Sequence, residues 1–564
     1  MKAIHMVAVM AMASSLAACG GGGGGGSSNA ESTPSGGQTS GALSVSTPSA
    51  PMSSVVAGTA VTFSGGACSG GSGQPSASWN FGDGSQTSSS NSHTYLQAGT
   101  YWVTVTCSDA STTATSSKLS VSVSAPAVAK QGFLARTWSA LSAIDPSNPS
   151  IYPVAGLSSS GVAQAVWLQN LTLNNSGAFS GSVDTNSATS WTLNGALPMD
   201  GSTASYSNYL YRTRPAPIDM AVSPNGHALA AWIAGSSLWY ATKTETSNWS
   251  TPVKLAISPT EVVLKVAVSD QGNGMIAYCT ASGAQAITYA SGTINTTPKT
   301  ISTRCWGQSG NSYVAVQITR GFDLAVDNST SNISAVGVMP SPSVSGNAVV
   351  TKQTFNPSTG WGSAVAISDD LPGTSLGSTV SYSISPNGQN EAVAWSGVGP
   401  GGLVNAYARI SRAGVMGAVL PLQTNNSSRY GMPLIAINDN ANAFAVMANV
   451  DSDPAPYMVN YSPANGWLKA PKLVASYSGY GGVDVAIDQY GNGLVTLDDD
   501  GIDTLAVTLS ADGQTAKSQS IVTGYGFSNF HYQTLKALPD GRAILAVSNY
   551  SQGSDTPSGV VVLK

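Results

Sequence analysis

Charge is scarce in this sequence: only 9% of its 564 residues are Asp, Glu, Lys or Arg. The net charge of −5 is spread thinly and no run of Lys and Arg occurs, which excludes the clustered positive surface that a nucleic-acid partner needs. Long amphipathic helical periodicity is absent, so a helical bundle is excluded. The longest apolar run near the start, Ile4 to Ala13, is too short to span a bilayer as a stable anchor. Histidine (4) and cysteine (5) are scarce and no CxxC pair occurs, which argues against a zinc site. There is no Gly-rich phosphate loop and no nucleophile elbow, and His227 and His531 alone leave a Ser-His-Asp triad few candidates beyond residue 131. What the chain does have is glycine (62) and proline (29) between short Val, Ala, Ile and Tyr-rich runs, the composition of an exported all-β protein.

One stretch organises most of it. Asp219 to Ile233, DMAVSPNGHALAAWI, reads as a strand, a tight turn and a second strand. Related stretches begin at Val154, Lys265, Asp323, Ser381, Leu434, Asp484 and Leu535, at intervals of roughly 45 to 65 residues, the period of propeller blades. The turns are Pro-Asn-Gly, Gln-Gly-Asn-Gly or Pro-Asp-Gly, whose Asn-Gly and Asp-Gly pairs accept the positive φ that hairpins demand. The second run often ends in a large ring, as at Trp167, Trp232, Tyr278 and Trp395. A lone hairpin buries too little apolar surface to persist, so the copies must stack and share cores.

A third run follows each hairpin, and often a fourth opening on Trp-Ser or Gly-Trp, as at Trp249-Ser250, Gly360-Trp361 and Gly466-Trp467. Four strands per copy make a blade. The last copy supplies only three strands before the sequence ends at Lys564, while Thr137 to Leu141, upstream of the first hairpin, looks like a fourth-strand motif. The expectation is a β-propeller over residues 131–564, closed by this N-terminal strand so that two exposed edges disappear. Eight blades are expected, or seven if the irregular region from Arg304 to Val338 forms no regular blade. The Gly-Trp and Asn-Trp-Ser turns resemble degenerate sialidase-like repeats. Asn356 to Trp361 and Ser462 to Trp467 lack the aspartate of that repeat, so the resemblance implies the fold only; no arginine triad with a Tyr and Glu pair is present, and Glu245, Glu261 and Glu391 are the only glutamates in the region.

The N-terminus reads as a targeting segment over residues 1–19, with Lys2, the apolar run and Leu16-Ala17-Ala18-Cys19. The last four residues resemble the lipobox of bacterial lipoproteins. That resemblance implies cleavage before Cys19, lipidation of Cys19 and attachment to membrane through the lipid, and Gly20, not being Asp, implies the outer membrane of a Gram-negative cell. Residues 20–41 are a Gly- and Ser-rich tether.

Residues 42–126 form a separate small domain, with strands expected at Ala60 to Ser64, Ser76 to Phe81, Thr100 to Ser108 and Lys118 to Ser124, the spacing of an immunoglobulin-like sandwich. At Trp79-Asn80-Phe81-Gly82-Asp83-Gly84 and His93-Thr94-Tyr95, followed by Gly99, Tyr101, Val103 and Val105, the sequence closely resembles the PKD domain family. Trp79 and Phe81 are read as opposite faces of one strand, Gly82 to Gly84 as a turn, and Tyr101, Val103 and Val105 as a core face. His93 is read as structural. The family implies a spacer or a weak contact module for glycan or protein.

Beyond Cys19, four cysteines fall into two local pairs, Cys68 with Cys107 and Cys279 with Cys305. An even count with domain-local spacing suggests two disulfides in an oxidising compartment, the alternative being four buried thiols.

A binding site is expected in the loops between blades and between second and third strands, which share one face of a propeller. They carry Tyr209, Tyr211, Arg212 and Arg214; Arg304 and Trp306; Arg429 and Tyr430; Tyr480; and Tyr525, His531 and Tyr532. Rings with Arg and amides stack on sugars or form protein-binding patches, although each could instead plug the channel or cover a blade edge. Asp498, Asp500 and Asp503 in Asp-Asp-Asp-Gly-Ile-Asp partly resemble a calcium loop, the alternative being a solvated acidic turn. Calcium is thus the one cofactor considered. The expected function is a surface-anchored, monomeric binding module for glycan or protein, with no nucleic-acid partner. The alternatives are a surface or secreted glycoside hydrolase acting on polysaccharide, which needs a carboxylate pair, and an architectural envelope component.

Overall fold

The computed structural model describes residues 41–564 apart from 52–53, 58, 96–98, 125–131, 147–149, 171–175, 186–189, 198–216, 235, 306–320, 370, 373–378, 399–403, 423–429, 450–455, 468–471, 474–482, 500–502, 514–515, 523–531 and 549–557. Cys19, Tyr209, Tyr211, Arg212, Arg214, Trp306, Arg429, Tyr480, Asp500, Tyr525 and His531 lie outside the described residues, as do the leader and the tether. The chain forms two compact units, and apart from one 3-10 turn at Gly132–Ala135 every element among the described residues is a strand.

The smaller unit is a sandwich. Its main sheet runs in the order Ser54–Val56, Leu119–Ser124, Gly99–Ser108, Ser76–Asn80, with Ala60–Thr62 paired to Ser92–Thr94 elsewhere. Strand Gly99–Ser108 alternates as expected: Val103, Val105 and Cys107 are fully buried while Trp102 is 53% exposed. The reading of Trp79 and Phe81 as opposite faces is corrected. Residues two apart on a strand share a face, and both rings are buried and stacked at 6.2 Å. His93 lies flat on Phe81 at 4.2 Å, and its Nε2 is 2.7 Å from Asp83 Oδ2. Burial works to raise the Asp83 carboxyl, but hydrogen bonds from Ser85 and His93 outweigh it and hold the group below its ordinary value. Cys68 and Cys107 form a disulfide with Cα atoms 5.7 Å apart.

The larger unit is a β-propeller. Its strands make eight antiparallel meander sheets among the described residues, and each of the eight repeated hairpins supplies the first two strands of one sheet. The first strands are Ser150–Leu157, Ile218–Val222, Glu261–Val268, Phe322–Asp327, Val380–Ile384, Tyr430–Ile437, Val483–Ile487 and Tyr532–Ala537, numbered here as sheets 1 to 8. Each touches the next, and that of sheet 8 touches that of sheet 1, so the ring is closed. Beyond Arg304 the chain enters a regular sheet at Phe322, so the irregular region does not cost a sheet.

Closure uses the N-terminal segment. Gly559–Leu563 of sheet 8 pairs with Ser142–Ala143 and, through Trp138 opposite Leu563, with the expected motif. Thr137 and Lys564 exchange main-chain hydrogen bonds at 3.1 Å in both directions. Just upstream, Phe133 is 1% exposed in a core with Ala486, Leu494 and Ala506 of sheet 7 and Leu535, Leu545 and Val561 of sheet 8.

Packing between sheets follows from the sequence pattern. In sheet 2 Met220 faces sheet 1 with Trp232, whereas Leu229, Ala231 and Ile233 face sheet 3. Trp167, Trp232 and Trp395 are essentially fully buried, which explains the ring that ends so many second runs. At Gly493 any Cβ would come within 2.6 Å of the Phe444 ring of sheet 6, so glycine there permits the close approach of the neighbouring sheet. Gly226 closes the Pro-Asn-Gly turn with φ of 80°.

Candidate binding site

The ring has two rims. Each first strand runs towards its hairpin turn, so the first-to-second turns lie on one rim, and second-to-third turns and sheet-to-sheet connections lie on the other. Tyr430 and Tyr532 open the first strands of sheets 6 and 8, and Arg304 follows the last strand of sheet 3, Thr293–Ser302. Asp498 is the last residue but one of the second strand of sheet 7, opposite Thr504, and Asp503 opens the third. The topology therefore brings Arg304, Tyr430, Tyr532, Asp498 and Asp503 to the same rim, on separate sheets except for the two aspartates.

Near Arg304 this rim is covalently fixed. A disulfide joins Cys279, in the second strand of sheet 3, to Cys305, with Cα atoms 5.8 Å apart. The Gly321 amide donates to the Cys305 carbonyl at 3.1 Å, which ties these two residues together. The pairing expected from spacing is thus present in both units.

The ring encloses a cavity of about 480 Å³, lined by the first strands of sheets 2 to 8. First strands are edge strands, and a free inner edge presents unpaired amides. The chain caps several of them with a side chain from the preceding sheet. Asp219 accepts from the Val266 amide (2.8 Å), Asp323 from Tyr382 (3.0 Å), Ser381 from Ile435 (3.2 Å) and Asp484 from Leu535 (2.9 Å). Asp219, Asp323, Ser381 and Asp484 occupy one column of the repeat, four residues before the first turn residue. Lys265 fills the same column in sheet 3 and reaches Asp323 at 3.2 Å.

The sequence reading missed this column. Its signal was available as a polar residue recurring inside an otherwise apolar run, visible once the copies are aligned on their turns. The turn residues also have a second role. Besides accepting hairpin geometry, Asp270 accepts from the Asn225 amide (2.9 Å) and Asp439 from the Asn387 amide (2.8 Å), tying each turn to the one before.

Lys536 extends into the cavity at a column otherwise filled by Gly156, Ala221, Ala267, Ala325, Ser383, Ala436 and Ala486. Enclosure by protein lowers its ammonium below the usual lysine value, Lys265 adds to this, and Asp484, Asp219 and Asp323 oppose it. Each of these aspartates has at least one oxygen committed to a main-chain amide. The channel carboxylates hold the sheets in register, and none is shown standing free as an acid or base. Asp488, fully buried, accepts from Tyr490, Asn492 and, at 2.9 Å, from the Phe133 amide of the closing segment. Burial pushes its carboxyl above the ordinary value despite these bonds.

Among the described residues no three His, Cys, Asp or Glu side chains gather in a group that could hold a metal ion. Asp499 and Asp503 are register partners on the second and third strands of sheet 7.

Residues 46–123 match the family model of the PKD domain. No curated protein matches the chain. Among solved structures, similarity extends to a prolyl endopeptidase, at 12% identity over 60% of this chain and 47% of that one with TM-score 0.37. The chain thus spans about half the length of that protein. It extends also to the β-propeller domain of the Trilobed protease from Pyrococcus furiosus (8% identity, 66% of this chain, 97% of that one, TM-score 0.37). A third is the α-L-arabinanase of Penicillium chrysogenum complexed with arabinobiose (10%, 76%, 98%, TM-score 0.35). At these identities and TM-scores the likeness carries no inference about activity.

Proposed function

We propose that the propeller is a binding module for glycan or protein, with the PKD domain as spacer or secondary contact and with lipid on Cys19 attaching the chain to the outer membrane. The observation that carries this reading is topological. Aromatic and Arg-bearing segments belonging to different sheets, represented among the described residues by Arg304, Tyr430 and Tyr532, begin or end on one rim. The carboxylates that a hydrolase would draw on in the channel are spent as amide caps between sheets. A rigid ring presenting variable, ring-rich loops on one side suits recognition, because the scaffold holds several contacts without ordering cost at binding.

The test is a glycan-array screen of the purified chain, with and without calcium, followed by product analysis on every hit. Saturable binding without product, weakened by Tyr532→Ala and Arg304→Ala, is the expected result. Product release would replace this reading with the hydrolase. Silence on all glycans would remove the glycan half of it and leave a protein ligand, to be sought by cross-linking on intact cells.

A further inference from the structure

A second cavity, of about 310 Å³, opens between sheets 2 and 3 on the side of the first-to-second turns, away from the rim described above. Its lining includes the polar side chains of His227, Lys243, Ser247, Asn248 and Gln271. Lys243 is the unusual member. The residue as a whole is only 9% exposed, so its stem is packed, while its ammonium makes no ion pair or hydrogen bond with the described residues and opens onto the cavity. Burial alone, with no neighbouring carboxylate to oppose it, lowers its proton affinity.

The nearby acids are turned elsewhere. Glu245 is held on the sheet 1 side by the hydroxyls of Ser158, at 3.0 Å, and Ser160. Asp270 accepts from the Asn225 amide. No carboxylate among the described residues pairs with the Lys243 ammonium, which leaves it open to an anion entering the cavity.

The repeat shows that the fold does not require a cation here. Lys243 stands opposite Ala228, the residue of the second strand that pairs with the last residue of the first, Val222. In the same register the partners are Val183 in sheet 1, Tyr289 in sheet 3, Phe355 in sheet 4, Ser411 in sheet 5, Tyr461 in sheet 6, Leu509 in sheet 7 and Leu563 in sheet 8. Six sheets therefore fill the position with an apolar or aromatic side chain and one with a serine, and sheet 2 alone places a cation there, against an open cavity.

We propose that this cavity is an oxyanion site, in which Lys243 receives the carboxylate or sulfate group of an acidic ligand while the His227, Ser247, Asn248 and Gln271 walls hydrogen-bond its remaining oxygens. The ammonium selects for charge, and the hydroxyl and amide walls suit a group with several acceptors. The site is separate from the rim and does not depend on the reading given to it.

The experiment is titration of the full purified chain by calorimetry with sodium sulfate, D-galacturonate and D-galactose, in chloride of matched ionic strength. Sulfate or galacturonate should bind saturably with a Kd below about 10 mM, and galactose should not. Lys243→Met keeps the buried stem and removes the charge, so affinity should fall by about tenfold or more, whereas Lys243→Arg should retain most of it. Galacturonate binding more tightly than sulfate assigns the oxyanion to a sugar, and sulfate alone assigns it to a free ion; both support the site. Lack of binding in the native chain overturns the proposal, as does unchanged affinity in Lys243→Met. If Lys243→Met does not fold, as judged by its thermal transition, Gln271→Ala serves: loss of oxyanion affinity supports the site, and unchanged affinity overturns it.

Discussion

Replacing Phe133 by alanine tests how the propeller is closed. The ring is 1% exposed and packs on both sheet 7 and sheet 8, so it bridges the junction that the N-terminal segment seals. A phenylalanine buries about 200 Å², which at about 25 cal/mol/Å² gives an upper value near 5 kcal/mol. Measured Phe→Ala losses in cores run to about 3–5 kcal/mol. With an unfolding entropy of about 2 cal/mol/K per residue over a ring of this size, about 4 kcal/mol lowers the melting temperature by about 4 °C. Phe133→Leu should lose about a third as much. The assay is urea and thermal unfolding followed by tryptophan fluorescence, with limited proteolysis near residue 131. The mutant should be cleaved faster there, because without the ring only main-chain contacts, such as the residue 133 amide on Asp488, hold the segment. A loss below about 1 kcal/mol with unchanged cleavage would refute the idea that this segment closes the ring.

Reducing or removing the Cys279–Cys305 bridge, which closes 26 residues, should lower stability by about 3.5 kcal/mol on the chain-entropy estimate and speed proteolysis within residues 306–320; unchanged midpoints in dithiothreitol would contradict it. Asp83, held below its ordinary value by Ser85 and His93, contributes stability present above its unfolded value of 3.8 and lost as pH falls through its lower folded value. Asp83→Asn should therefore flatten the acid limb of the sandwich unit's unfolding, checked by urea midpoints across the acid range. Asp488 has the opposite sign. Its contribution is complete below its unfolded value and is lost as pH rises through the raised folded one, so Asp488→Asn should remove that decline. Cys19→Ser should leave the chain unlipidated, and unchanged partition into detergent would defeat the anchor.

The sequence by itself determined the class of fold, the repeated hairpin and the closing strand. These features are local: alternation, Asn-Gly turns and a missing fourth strand can be read along the chain without knowing what touches what. Both disulfide pairs were legible for the same reason, each lying within one domain. The Trp79 and Phe81 faces needed only the two-residue period of a strand, and were misread for want of applying it. What the tertiary structure alone decided is how neighbouring copies meet. Asp219, Asp323 and Asp484 look like scattered acids until the ring places each beside the bare edge of the next sheet. Phe133 looks like linker until the ring places it between sheets 7 and 8. Lys243 is an ordinary lysine in a strand until sheet 3 buries it. A propeller's cores lie between copies roughly 45 to 65 residues apart in sequence, so burial, and the chemistry that burial confers, is set by closure of the ring.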